Sequence, residues 1–174
     1  VEKGVDLRLE QKVEKFYKND EDRLVVVTSK GEIECDIVIL SIGVKPENKL
    51  AKDAGLELGD RGGVMTDETM RTSDKNIFAV GDCIQTKNFI TGGPAQVPLA
   101  GPANRQGRIA ADNALGRQMQ FRGTQGTSVV RVFDMTVALT GCNEKMLKAM
   151  GRKYMVSYTH STNHVSYYPG AVVM

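Results

Sequence analysis

The fold of this chain is decided by residues 72–82, TSDKNIFAVGD. The polar first half predicts a turn, and the apolar residues 77–80 predict a short buried strand that ends at Gly81 and Asp82. Ligands of open α/β sheets bind at the carboxyl ends of the strands. An Asp there offers acceptor oxygens to ligand hydroxyl groups, and a Gly before it lets the ligand approach the backbone. The stretch therefore predicts a binding site, although a buried strand that ends in an ordinary Asp turn would read the same way.

The spacing Thr-x-x-x-x-apolar-aromatic-Ala-x-Gly-Asp resembles the second flavin-binding motif of the FAD- and NAD(P)H-dependent disulfide reductase superfamily. The resemblance implies that Asp82 holds a hydroxyl of the FAD ribityl chain and that Gly81 lies beside the cofactor. Asp82 is therefore the first candidate for a functional residue.

The composition is that of a folded globular chain without strong charge. The 174 residues are 41% hydrophobic and 25% charged, and the formal net charge is +2. So small a charge argues against nucleic acid and anionic membranes as partners. No apolar run approaches the ~18 residues of a membrane-spanning helix. We expect one domain or parts of two, with neither nucleic acid nor membrane as a partner.

The three cysteines, Cys35, Cys83 and Cys142, are widely spaced and odd in number. They match neither a CxxC motif nor a zinc-ligand spacing, so we expect no disulfide framework and no metal site. A reducing cytoplasm is the expected location. Because the chain begins with Val1 and ends on an apolar tail, we also expect it to be a piece of a longer protein.

Strand signals dominate the first quarter of the chain. Residues 13–17 and 23–28 are strand-like and are followed by a turn signal at residues 29–32, which predicts a hairpin or meander. Residues 33–42, IECDIVILSI, are almost continuously apolar. A strand buried on both faces of a parallel sheet has that pattern. We therefore predict that residues 33–42 form such a strand.

Helix signals appear further along. Residues 48–54 predict a short helix that stops at Gly55, and residues 102–115 predict a longer one that stops at Gly116. Residues 62–67 predict a turn and a short strand. A change of composition over residues 118–127 marks a boundary. Beyond it we predict one or two strands within residues 128–139, a helix capped by Asn143 and ended by Gly151, and a strand over residues 154–158.

Residues 36–46 end in Gly43-Val44-Lys45-Pro46 and resemble the strand-Gly-x-x-Pro motif of the same superfamily. In that family the motif leads from the NAD domain back into the FAD domain, which implies that Gly43 lies near the cofactor. The alternative is a core strand followed by a turn.

Residues 96–102, QVPLAGP, run into the predicted helix. A helix amino terminus presents unpaired N–H donors and the positive end of the helix dipole, which stabilise a nearby anion. A reduced flavin carries negative charge around N1 and the C2 carbonyl, so a helix aimed there favours the reduced form. The resemblance implies that Leu99 and Ala100 lie at the approach to the flavin ring; the alternative is a purely structural helix.

Residues 163–170, NHVSYYPG, resemble the His-x-x-Tyr-Tyr-Pro-Gly segment of coenzyme A-disulfide reductases and related NADH oxidases. The resemblance implies that Tyr167 reaches the partner subunit's active site and acts on the departing coenzyme A thiolate, as a phenol donor can. It also implies that Asn104 and Asn163 approach coenzyme A. The alternative is a strand with one tyrosine buried and one exposed.

The resemblance implies an α/β (mixed α+β) fold in three parts. Residues 1–45 would end an NAD(P)-binding domain, residues 46–121 would form the second segment of an FAD-binding domain, and residues 122–174 would begin an α+β dimerisation domain. The nucleotide-binding parts are expected to be partial Rossmann-like segments, because the chain has no GxGxxG fingerprint. Cys83 lies outside the family's catalytic cysteine position and is expected to be a small packed residue.

The resemblance implies that the whole protein is a homodimeric enzyme that passes electrons from NAD(P)H through FAD to a redox cysteine and a disulfide substrate. Coenzyme A disulfide or a related persulfide or polysulfide is the expected substrate. The alternatives are an NADH oxidase or peroxidase, a rubredoxin or ferredoxin reductase, and a non-catalytic dimerisation or binding module. We expect this chain alone to bind no flavin, to be inactive and to self-associate.

Overall fold

The computed structural model describes residues 3–173, which form a mixed α/β arrangement of small sheets and short helices. The strands are β1 Val13–Lys18, β2 Leu24–Thr28, β3 Gly31–Cys35, β4 Val64–Met65, β5 Ile84–Lys87, β6 Pro94–Ala95, β7 Ser128–Val132 and β8 Met135–Leu139. The helices are α1 Lys49–Asp53, α2 Ala100–Ala114 and α3 Glu144–Ala149. The chain divides into two compact units between Val44 and Lys45.

The first unit contains the antiparallel meander β1-β2-β3, which confirms the predicted hairpins. Thr28 pairs with Gly31 across the β2–β3 turn, and the Thr28 hydroxyl donates to the Gly31 carbonyl at 2.8 Å. The Tyr17 hydroxyl donates to Glu32 Oε2 at 2.9 Å. That hydrogen bond raises the pKa of the Tyr17 phenol, because a phenolate beside a carboxylate is disfavoured.

The prediction of a buried strand over residues 33–42 is wrong for this structure. β3 ends at Cys35, and the apolar side chains of Ile37, Ile39, Leu40 and Ile42 are exposed. An apolar run forms a two-sided buried strand only when strands and helices cover it. Residues 33–35 pair with β2, but within the described residues nothing pairs with residues 36–42, which have no regular structure.

The core of the second unit is made where β4 and β5 meet α2. Val64, Met70, Ile84 and Phe121 form the buried cluster. β4 pairs with β5 in parallel, and β5 pairs with β6 in the antiparallel sense. Ile109 and Ala110 on one face of α2, and Ala51 of α1, pack against the cluster. This small core fixes α2 against the loop that precedes β5.

The predicted helices are all present. α1 and α2 match the predicted helices at residues 48–54 and 102–115, although α2 begins at Ala100 rather than Pro102. Gly116 follows the last turn of α2 at φ +87°, a conformation that glycine adopts without strain. The Asn143 side chain accepts from the Met146 N–H at 2.9 Å, so Asn143 caps α3 as predicted.

β7 and β8 form an antiparallel hairpin, so the apolar residues 128–139 make two strands. The strand predicted over residues 154–158 is absent, and that segment has no regular structure. A strand signal becomes a strand only where a partner pairs with it, and the described part of the chain supplies none for residues 154–158. Among residues 3–173, no helix is long and apolar enough to cross a membrane.

Candidate functional site

The motif at residues 72–82 folds back on the segment before it. Arg71 and Phe78 form an isolated antiparallel bridge, and the Ala79 N–H donates to the Met70 carbonyl at 3.1 Å. The Thr72 hydroxyl donates to the Ile77 carbonyl at 3.1 Å and thereby closes the polar turn. The turn is therefore confirmed, but the strand predicted over residues 77–80 is reduced to one bridge, because no neighbouring strand among the described residues extends the pairing.

Gly81 and Asp82 form a tight turn before β5 rather than the carboxyl end of a regular strand. The Ile84 N–H donates to the Gly81 carbonyl at 3.4 Å, and β5 begins at Ile84. Gly81 has φ +86°, which favours glycine. An added Cβ would contact the Ala103 Cβ at 4.0 Å, so Gly81 lies against α2. The turn is held by backbone conformation and by the helix together.

A buried side chain connects this turn to α2. The Gly81 N–H donates to Gln106 Oε1 at 2.8 Å, and Gln106 is 3% exposed. Gln106 was not singled out by the sequence analysis. A signal was available, because residues 106, 109, 110 and 113 have i, i+3, i+4 and i+7 spacing and so share one helix face. The buried polar residues Gln106 and Asn113 lie on the same face as the apolar Ile109 and Ala110.

The Asp82 carboxylate points away from this packed interior. Asp82 is exposed, and among the described residues its side chain makes no hydrogen bond and no ion pair. The backbone of Gly81 is held by Gln106, whereas the Asp82 carboxylate is free to accept hydrogen bonds from a ligand. A carboxylate held on an ordered turn offers two acceptor oxygens to hydroxyl groups. The arrangement can therefore bind a polyhydroxylated ligand.

The amino terminus of α2 is also left open. Leu99 is the N-cap residue, has an extended conformation and makes no side-chain capping hydrogen bond. Its first turn contains no acidic residue, and Pro102 within it has no N–H. In residues 3–173 no acceptor pairs with the N–H groups of Ala100 and Gly101. Free N–H donors and the positive end of the dipole make this terminus suited to a negatively charged group.

Cys83 follows Asp82 and belongs to the core, not to the open side of the turn. It packs against the buried cluster, and its thiol lies 3.6 Å from the Val80 carbonyl oxygen. This matches the expected small packed residue. Across the described ranges no group of three His, Cys, Asp or Glu side chains is arranged to hold a metal ion.

The Tyr-Tyr-Pro-Gly segment forms an exposed loop near the end of the chain. Tyr167 is 80% exposed, and its ring centroid lies 5.1 Å from that of Tyr168. Asn163 is hydrogen-bonded to Val172 at the base of the loop. Asn104 lies on the exposed side of α2. In the described part of the chain no hydrogen bond or ring contact joins these residues to Asp82.

Gly43 belongs to the first compact unit and has φ +89° with open space around it. The second unit brings Gly81, Asp82 and α2 together through Gln106 and Ala103. Within the second unit, the geometry thus assembles one part of the expected set and leaves Tyr167 on a separate loop.

The fold is a mixed α/β arrangement that matches those of FAD- and NAD-binding oxidoreductases. The family model described as pyridine nucleotide-disulphide oxidoreductase matches residues 1–107, which is more than half of the chain. The chain therefore belongs to the pyridine nucleotide-disulphide oxidoreductase family, a family of enzymes that use FAD and NAD(P)H.

The chain is similar to several named proteins and to a solved structure. The NAD(P)H sulfur oxidoreductase (CoA-dependent) of Pyrococcus abyssi is 37% identical over 166 residues, which cover 95% of this chain and 37% of that protein. An NADH oxidase of Enterococcus faecalis is 34% identical over 159 residues, which cover 87% of this chain and 34% of the oxidase. The structure of an NAD-dependent persulfide reductase from A. fulgidus has a TM-score of 0.90 and 38% identity, with 99% of this chain and 32% of that chain covered.

The chain spans only about a third of the length of the relatives that it matches. Within that third, the residues present fit an FAD group. The Asp82 carboxylate is an unpaired acceptor for a ribityl hydroxyl, and Gly81 beside it adds no side chain to the turn. The uncapped start of α2 supplies N–H donors suited to the electron-rich edge of a flavin.

Proposed function

We propose that this chain supplies the second half of an FAD site in an enzyme that passes electrons from NAD(P)H to a redox cysteine and a disulfide substrate. The single observation that carries the proposal is the Asp82 turn. Asp82 is exposed and unpaired, while Gly81 is held by the buried Gln106. An exposed carboxylate on an ordered turn keeps both acceptor oxygens for the hydroxyl groups of a ligand.

When bound, FAD supplies the two-electron relay between NAD(P)H and a disulfide. The residues of this chain bind and orient it. Asp82 would accept from a ribityl hydroxyl, Gly81 would allow close backbone approach, and Leu99 and Ala100 would lie at the approach to the ring. The α2 amino terminus stabilises negative charge at the ring edge by its N–H donors.

The proposal assigns a domain role to each of three segments of the chain. Residues 1–45 end the NAD(P)-binding domain, residues 46–121 return to the FAD-binding domain, and residues 122–174 begin a dimerisation domain. The family match over residues 1–107 supports the first two assignments. The apolar, exposed β7–β8 hairpin supports the third, because a two-stranded sheet with both faces exposed needs covering.

The proposed substrate is coenzyme A disulfide or a persulfide or polysulfide. Support comes from the relatives named as a CoA-dependent sulfur oxidoreductase and a persulfide reductase. Reduction of a disulfide consumes two electrons and two protons and releases two thiols. In a homodimer, Tyr167 would donate a hydrogen bond to the departing thiolate sulfur, and Asn104 would contact coenzyme A.

A second candidate is an NADH oxidase, favoured by the similarity to the Enterococcus faecalis NADH oxidase. The Asp82 site would serve either enzyme, since both need a bound flavin.

We place the protein in the cytoplasm because Cys35, Cys83 and Cys142 are all free thiols.

The test uses a chimera in which this chain replaces the matching segment of the Pyrococcus abyssi sulfur oxidoreductase. We expect the chimera to bind FAD and the Asp82→Ala variant to bind it about thirtyfold more weakly, because a hydrogen bond to a charged acceptor contributes ~1.5–3 kcal/mol. Flavin fluorescence titration measures the Kd. The matched control is Asp20→Ala, since Asp20 is exposed and makes no hydrogen bond or ion pair within residues 3–173. Equal FAD affinity in both variants would refute the proposal.

A further inference from the structure

We propose that Asn163 is a positioning residue: its side chain closes the loop of residues 163–172 and thereby holds the Tyr167 phenol in place. This inference rests on the proposed function of Tyr167. It differs from a direct contact of Asn163 with coenzyme A, because it assigns the side-chain oxygen of Asn163 to the protein's own backbone.

Two hydrogen bonds join the ends of the loop. The Asn163 N–H donates to the Val172 carbonyl at 3.0 Å, and the Val172 N–H donates to Asn163 Oδ1 at 3.0 Å. The adjacent residues Thr162 and Val173 form an isolated antiparallel bridge. One residue therefore pairs with Val172 through both its backbone and its side chain. Beyond this bridge, no regular strand flanks the loop within the described residues.

The interior of the loop carries the aromatic side chains. The Tyr168 N–H donates to the Val165 carbonyl at 3.1 Å, which turns the chain. The His164 and Tyr168 rings meet edge to face with centroids 6.1 Å apart, and the Tyr168 and Tyr167 centroids are 5.1 Å apart. The order of contacts is His164, Tyr168, Tyr167. The Tyr167 ring has no other ring contact in the described chain, so the loop backbone and Tyr168 set its position.

Opening the base of the loop would release this arrangement. His164 directly follows Asn163, and the Thr162 hydroxyl donates to the His164 carbonyl at 2.5 Å. Loss of the Asn163 side-chain acceptor would leave a single backbone hydrogen bond to close the loop, and the 80% exposed phenol would then sample more orientations. A misplaced proton donor loses most of its effect on the reaction.

Two substitutions of Asn163 separate the role of its side-chain oxygen from the role of its side-chain NH₂ group. Asn163→Leu has a similar shape and removes the acceptor, while Asn163→Asp keeps an acceptor oxygen and removes the NH₂ group. A substrate contact through the NH₂ group would be lost in both variants. An acceptor oxygen that closes the loop by accepting from the Val172 N–H would be lost only in Asn163→Leu. Gln118→Leu is the matched control, because Gln118 is exposed and makes no side-chain hydrogen bond in the described residues.

The first measurement is amide hydrogen exchange in the 174-residue chain. We expect the Val172 amide to exchange about tenfold faster in Asn163→Leu and at the wild-type rate in Asn163→Asp and Gln118→Leu. The amide of Ile84, in the core, serves as the internal reference. An unchanged Val172 exchange rate in Asn163→Leu would overturn the inference without touching the proposed flavin site.

The second measurement is a double-mutant cycle in the chimera, with coenzyme A-disulfide turnover as the readout. Tyr167→Phe is expected to lower kcat about a hundredfold, and Asn163→Leu to lower it by a similar factor. The double variant should be no slower than Tyr167→Phe, since Asn163 acts through Tyr167. Additive losses, or failure of Asn163→Asp to restore turnover, would overturn the inference. Unchanged turnover in Tyr167→Phe would overturn the proposed role of Tyr167 as well, whereas FAD binding through Asp82 would stand.

Discussion

At the scale of single residues, the two neighbours Gly81 and Asp82 have different roles: Gly81 is packed into the fold, and Asp82 presents its carboxylate. Asp82 is exposed and unpaired, and Gly81 is tied to the buried Gln106. The motif in the sequence identifies Asp82 by the chemistry of its carboxylate. No sequence motif indicates Gln106. A polar residue in a helix is usually solvated, and only the packing of the structure shows that Gln106 is buried. The order of the site thus depends on a residue outside the motif.

The substitution Gln106→Met tests this dependence. It conserves side-chain volume but removes the acceptor of the Gly81 N–H, so a part-buried donor loses its partner. We expect the free energy of unfolding to fall by about 2 kcal/mol and the Gly81 amide to exchange faster. Urea denaturation and amide exchange are the measurements. Gln118→Met is the matched control at an exposed position and should change little. Unaltered Gly81 exchange in Gln106→Met would show that backbone conformation alone holds the turn.

At the scale of elements, α2 organises the second unit through one face. Ile109 and Ala110 pack against the core, Gln106 bonds the Gly81 turn, and Asn113 bonds two loops. The helix itself was predictable from Pro102, which lies in its first turn, and from Gly116, which follows its last turn. Its attachments to Gly81 and Thr69 were not, because these residues are distant from the helix in the sequence.

Asn113→Leu tests the attachment at the carboxyl end of α2. Asn113 is 3% exposed; its NH₂ group donates to the Thr69 and Met119 carbonyls at 2.9 and 2.8 Å, and its Oδ1 accepts from the Met119 N–H at 2.7 Å. Replacement leaves these backbone groups without partners, so we expect a loss of about 3 kcal/mol in the free energy of unfolding. The control Asn104→Leu lies on the exposed side of the same helix and should change stability by less than about 0.5 kcal/mol. Chemical denaturation compares the two, and equal losses would contradict the assignment.

At the scale of the whole molecule, apolar surface is the dominant feature. The segment from Ile37 to Val44 and both strands of the β7–β8 hairpin expose large aliphatic side chains. Contiguous exposed apolar surface of this kind marks contact surfaces that are covered in the functional state. The residues on it are the ones expected to meet a domain or a second subunit. Exposure at Tyr167 fits the same pattern.

We therefore expect the 174-residue chain to self-associate and to bind no flavin by itself. Val130 and Val137 are paired and exposed across β7–β8, so a Val130→Lys and Val137→Lys double variant should shift sedimentation toward the monomer. The paired positions Arg131 and Thr136 offer a matched control as Arg131→Lys with Thr136→Lys. A monomeric wild-type chain would contradict the first expectation. A flavin absorbance band in the chain purified with FAD would contradict the second.

The sequence by itself determined the local features of this protein. Turns, the ends of α1 and α2, the Asn143 cap and the β1–β3 meander were predictable, because each depends on residues close together in the chain. The Asp82 motif was recognisable for the same reason. Only the tertiary structure decided residues 33–42, 77–80 and 154–158, since a strand exists only when another strand pairs with it. Tertiary packing also decided the partners of the Gln106 and Asn113 side chains, because Gly81 and Thr69 are backbone groups that lie far from them in the sequence.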